Sequence, residues 1–100
     1  MTYTRPDLFH DAGSVASNGS RIAGCQRGDP ANLGPGSYTY TLQAGNSLNF
    51  DESAFIAAVQ DTDFHITASQ ISSVLFSVRI HDDEDADDAP WTFLILNLAF

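Results

Sequence analysis

The sequence predicts a mainly β protein, a small antiparallel sandwich or partly open barrel with one short helix over about 52–60 and an extended N-terminal arm. Three observations carry that expectation. Apolar and polar residues alternate through 38–42 and, apart from Leu75, through 74–80, the period of strands with one buried face. Six of the seven glycines (Gly13, Gly19, Gly24, Gly28, Gly34, Gly36) and three of the four prolines (Pro6, Pro30, Pro35) crowd the first 36 residues, the composition of turns. Hydrophobic residues make up 43% of the 100, with seven Phe, three Tyr and one Trp, enough for one core in a chain of single-domain size. The chain therefore divides into a Gly/Pro/Ser-rich arm, 1–36, and a β-rich core, 37–100.

Within the arm, Asn18-Gly19 signals a tight hairpin turn that sets Ala16 opposite Arg21 and Val15 opposite Ile22. A second hairpin is expected where Tyr38, Tyr40 and Leu42 alternate with Thr39, Thr41 and Gln43. Its loop at 44–46 places Leu42 opposite Leu48 and Tyr40 opposite Phe50. Asp51 suits a helix N-cap, with Glu52 in the first turn and Phe55, Ile56 and Val59 as the apolar stripe. Phe64 and Ile66 flank His65 in a brief strand that leaves the imidazole on the polar face. Val74, Phe76, Val78 and Ile80 form the inward set of the next strand. The last segment, 91–100, is apolar on both faces: Phe93 and Ile95 on one, Leu94, Leu96, Leu98 and Phe100 on the other. Such a strand requires cover on both sides. Segments 71–80 and 91–100 are expected to pair as an antiparallel hairpin, with 82–88 a solvated loop that a tight turn could replace.

The formal charge of −9 disfavours nucleic acid, because phosphate binding needs clustered cations and the chain has only Arg5, Arg21, Arg27 and Arg79. Six of the thirteen acids (Asp82, Asp83, Glu84, Asp85, Asp87, Asp88) lie in one loop, leaving seven against four arginines, a net of −3 elsewhere. Lysine is absent, and eleven Asp stand against Glu52 and Glu84. That bias resembles the proteins of salt-loving archaea and their viruses, whose carboxylate surfaces stay hydrated where molar salt screens repulsion. A GC-rich genome acting on a short chain produces the same bias. Residues 1–20 contain no continuous apolar run of a signal peptide, and no apolar stretch is long enough for a membrane-spanning helix. The expectation is a protein without membrane contact, cytoplasmic unless carried in a virion.

Candidate chemistry is sparse. Asp83, Asp85 and Asp87, at i, i+2 and i+4, have a spacing that can converge oxygens on Ca²⁺, but an EF-hand loop starting at Asp83 needs Gly and Glu where this chain has Asp88 and Leu94. Arg27-Gly28-Asp29 spells an integrin-binding tripeptide, which Pro30 would stiffen in a projecting turn. His10, His65 and His81 lack metal-ligand spacing, and no serine elbow or phosphate loop accompanies them. Cys25, the single cysteine, reads as a small buried thiol. No catalytic residue, enzyme activity or cofactor is expected.

Two features point to assembly. The arm offers too little apolar surface to offset its own ordering entropy, and the chain end carries apolar side chains where termini usually fray. The reading that follows is a non-enzymatic structural subunit with protein partners, in a homo-oligomer or a hetero-assembly: a minor capsid, cement (decoration) or tail component of a virus. A Ca²⁺-dependent adhesion module and an acidic inhibitor protein are the alternatives. On this reading residues 1–36 contact mainly neighbouring chains, and 37–100 folds without them.

Overall fold

Two antiparallel four-stranded sheets packed face to face account for the alternation, as a computed structural model shows. It describes residues 8–98 apart from Gln60 and Thr62, with only the backbone of Phe50. The strands are β1 (Phe9–Val15), β2 (Arg21–Gly24), β3 (Gly28–Gly34), β4 (Ser37–Leu42), β5 (Ser53–Val59), β6 (His65–Gln70), β7 (Leu75–His81) and β8 (Trp91–Asn97). The first sheet has the order β2-β1-β8-β5 and the second β3-β4-β7-β6.

The core lies between them. Tyr38, Tyr40, Phe76, Val78 and Ile80 from the second sheet meet Val15, Trp91, Phe93 and Ile95 from the first, all buried. Their rings interlock, with Tyr40 and Phe93 centroids 4.4 Å apart, Phe55 and Phe76 4.7 Å, and Tyr38 and Trp91 5.7 Å. Each buried aromatic removes roughly 150–250 Å² from water, about 4–6 kcal/mol by area before ordering entropy is subtracted. No helix among the described residues is long and apolar enough to cross a membrane.

The expected helix over 52–60 is instead a single 3-10 turn, Phe50–Glu52, capped by Asn49, followed by strand β5. Phe55, Ile56 and Val59 fit a helical stripe, but Phe55, Ala57 and Val59 also fit period 2. Pairing along all seven residues with β8 decides for the strand. The expected helix end at Gln60 lies outside the described residues.

The arm is likewise not separate from the core. Residues 9–34 supply β1, β2 and β3, and β1 sits between β2 and β8 inside the first sheet. Removing 1–35 would take two strands from one sheet and one from the other, so 37–100 has no intact sandwich of its own. Residues 1–7 lie outside the described residues. The Gly/Pro composition marks bends of strands in place of a free extension. Gly19 closes the β1–β2 hairpin at φ +88°, donating its N–H to Ala16 O while Ala16 N–H bonds Ser20 O. This three-residue loop replaces the expected two-residue turn, so Val15 pairs with Arg21, and a register shift beside Ser14 leaves Ile22 bulged and 60% exposed.

Two expected hairpins do not form. β4 pairs with β3 and β7, not with 46–50, so Leu48 reaches the core from a loop. β7 and β8 are each central, but in different sheets, and residues 82–90 carry the chain from one sheet to the other. Both strands needed two hydrogen-bonded neighbours, and pairing them together would have supplied only one each. A tight turn therefore cannot replace 82–88. Ala99 and Phe100, the end of the expected final strand, lie outside the described residues.

Candidate interaction surface and the acidic loop

Strand register determines what each sheet shows to solvent. On the second sheet the outward rows are hydroxyl-rich and charged: Thr41 lies between Asp29 and Leu75, Arg79 between Ser37 and Thr67, and His65 faces His81. This is an ordinary solvated sheet face.

The first sheet is different. With Trp91, Phe93 and Ile95 turned inward, β8 turns Thr92, Leu94 and Leu96 outward. Across the strands, Leu96 lies between Phe9 and Ala54, and Leu94 between Ala12 and Ile56. Thr92 lies between Ser14 and Ala58, with Ala23 beyond Ser14. None of these ten outward residues is ionisable, in a chain of net charge −9, and Phe9 and Ile56 are 55% and 53% exposed. This is the second apolar face of β8 that the sequence predicts must be covered. Its extent is not legible in the sequence, where β1 reads as arm and β5 as helix.

A bulge at the start of β1 turns both His10 and Asp11 inward. The Asp11 carboxylate accepts hydrogen bonds from the N–H groups of Ala12 (2.9 Å), Gln26 (3.2 Å) and Arg27 (3.0 Å) and from the Tyr40 hydroxyl. Burial, reinforced by the Asp11 carboxylate, pushes the Tyr40 phenol well above its ordinary pKa. His10 donates from Nε2 to Asn46 O at 2.8 Å while Nδ1 accepts from the Arg27 guanidinium at 3.3 Å. Cys25 is buried here at φ +58°, and burial raises its thiol pKa, as in an unreactive thiol. The Arg27-Gly28-Asp29 tripeptide is therefore not a projecting turn: Gly28 is buried at the start of β3 and Asp29 pairs with Arg21 at 3.3 Å.

The acidic segment is structured. Asp82 accepts from the N–H groups of Asp85 (2.7 Å) and Glu84 (2.8 Å), and these bonds lower its pKa. Asp83 reaches His65 Nε2 at 3.1 Å, an exposed pair of small energetic value. Asp87 N–H bonds Ile80 O at 3.2 Å, and Asp88 Oδ1 accepts from Gly36 N–H at 2.8 Å and Asn32 Nδ2 at 3.0 Å. Gly36, at φ +67°, permits this docking, since a Cβ there would lie 2.1 Å from Ile80 O. Tyr38 supports the same corner by donating to Ser17 O and accepting from Ala89 N–H, and burial pushes its pKa up to about 12.

An open cleft of about 550 Å³ lies against Asp63, His65, Asp82, Asp83 and Glu84. Asp83 thus sits at the cleft and Asp87 at the Gly36 corner, while Asp85 contributes its backbone to the Asp82 turn. Among the described residues no three His, Cys, Asp or Glu side chains gather to hold a metal ion, so the three aspartates are not brought together as a ligand set.

Asp88 yields a pH prediction. Chiefly through the Gly36 N–H, its pKa is held below the ordinary carboxylate value of about 3.9. A depressed folded-state pKa adds stability that is present above the unfolded value and lost as pH falls through the folded one. Melts between about pH 5 and about pH 2 should show wild type losing stability more steeply than Asp88→Asn. Parallel acid limbs would mean that the carboxylate adds nothing at this corner.

Compared with known proteins, the chain matches no family model, no curated protein and no solved structure.

Proposed function

We propose that the chain is a non-enzymatic structural subunit of a multi-subunit assembly, of the kind that serves as a minor capsid, cement or tail component of a virus, with an aspartate-rich, lysine-free surface suited to a salt-loving host. The observation that carries this reading is the outward face of the β2-β1-β8-β5 sheet, which holds ten non-ionisable residues in a chain of net charge −9. A soluble chain exposes such a face at a cost, and large apolar patches rimmed by polar residues are the usual mark of contact with another protein. The polar outer face of the second sheet supplies the contrast, because it is what a free sheet face looks like.

Native mass measurement of the complex recovered from the organism that encodes the chain tests the proposal. The expected result is a particle many times heavier than the 10.8 kDa chain, with the chain in fixed stoichiometry. A chain recovered as a free 10.8 kDa species at every stage of growth would overturn it.

A further inference from the structure

We infer that the outward face of the β2-β1-β8-β5 sheet binds a second copy of this chain, sheet on sheet about a two-fold axis; the inference rests on the assembly reading and names the partner. Charge selects the occupant. A basic partner would be drawn to the chain by its −9 charge but would find no carboxylate among the ten outward residues of this face to pair with. An anionic lipid surface would be repelled by the same net charge. A second copy presenting the same face brings no ionisable side chain of that face against another. Every acid in the 82–88 segment lies outside this face, in the connection between β7 and β8.

The face is apolar across its middle: Leu94 and Leu96 on β8 lie beside Ile56 and Phe9, the exposed large side chains of the face, with Ala12, Ala54 and Ala58 as smaller neighbours. Two such faces pack with their strands rotated by the roughly 30° usual for stacked sheets. Four strands spaced about 4.8 Å apart, β1, β5 and β8 of seven residues and β2 of four, with about 3.3 Å of rise per residue, cover roughly 400 Å². That flat footprint is about half of the roughly 800 Å² that each partner of a standard interface covers, before side-chain relief is counted. The dimer is therefore concentration-dependent, and salt that screens the residual repulsion between two −9 chains strengthens it.

Sedimentation of the purified full chain over micromolar to millimolar concentration, in dilute and in molar KCl, provides the test. The expected mass rises from 10.8 kDa to twice that value, at lower concentration in molar salt. Ile56→Glu, at a position already 53% exposed and therefore tolerant of charge, should weaken association at least tenfold while leaving the melting transition cooperative. Thr67→Glu, exposed on the other sheet, adds the same charge and should weaken association far less. A chain that stays monomeric to millimolar concentration in molar salt overturns the inference, as does a dimer broken by Thr67→Glu and untouched by Ile56→Glu. If the pure chain is monomeric but the native complex is large, self-association fails and the assembly reading stands; a free chain in both measurements ends both.

Discussion

Asp11→Ala is expected to destabilise the protein by about 3–5 kcal/mol, a large part of the roughly 5–15 kcal/mol that holds a domain of this size together. Asp11 is 3% exposed, and its carboxylate accepts from Ala12, Gln26 and Arg27 N–H and from the Tyr40 hydroxyl. Truncation leaves these donors, three part-buried N–H groups and the buried Tyr40 hydroxyl, without their acceptor, at about 1–3 kcal/mol for a fully buried one and less for the others, offset in part by no longer burying a charge. Asp11→Asn should cost less. Its amide keeps one oxygen for Ala12 and Gln26 but turns N–H groups toward the Arg27 N–H and the Tyr40 hydroxyl. Tyr40→Phe should cost least, since three backbone donors keep their acceptor. Denaturant melts of the three variants check the order, and an Asp11→Ala variant within about 1 kcal/mol of wild type would show that the network is not a clamp. The same network fixes the bulge that turns Phe9 outward and Asp11 inward, so Asp11→Ala should also weaken any association through the first sheet.

Buried Asp11 shows where sequence reasoning stops. The stretch Phe9–Val15 reads FHDAGSV, and two adjacent polar residues ahead of a glycine look like loop. They point inward only because a bulge puts both on one side and because donors from residues 26, 27 and 40 meet them. None of those partners is local in sequence. Strands with strict alternation were legible: β4, β7 and β8 bury the residues their period selects, and β8 does present a second apolar face. Partner strands were not legible, because periodicity assigns a face and not a neighbour. Hence 71–80 and 91–100 read as a hairpin, whereas β7 and β8 are inner strands of different sheets. The β5 segment was ambiguous at the level of period, since alanine at 54, 57 and 58 serves a helix stripe and a strand face equally well.

That ambiguity hid the surface on which the functional proposal rests. The ten outward residues of the first sheet come from four separated segments, and no contiguous window of the chain contains more than three or four of them. The acidic loop, by contrast, is conspicuous in sequence. In the structure much of its polarity is spent locally, on the turn at Asp82 and on the Gly36 corner at Asp88. The conspicuous segment is thus largely a structural connection between sheets, and the inconspicuous alanines and leucines form the non-ionisable outward face of the first sheet.

Val78→Asp should cost at least about 3 kcal/mol at neutral pH, whereas Asp85→Asn should stay within about 0.5 kcal/mol of wild type. Val78 is fully buried in β7, paired with Tyr38 on one side and Ala68 on the other, at the centre of the second sheet. A carboxylate there lies within the hydrophobic core between the sheets, so burial raises its pKa. The sign of the pH dependence follows. With the folded pKa above the unfolded value, the variant is least penalised below about pH 4, where the acid is neutral in both states. The penalty grows as pH rises, by about 1.4 kcal/mol per unit until the folded-state pKa is passed. Asp82 and Asp88, whose depressed pKa values weaken every variant in acid, cancel in the difference from wild type. Melts of the two variants and wild type at about pH 4 and about pH 7 therefore separate burial of a charge from mere loss of packing. A Val78→Asp penalty that is the same at both pH values would place residue 78 in contact with water, and the two-sheet core would have to be redrawn around it.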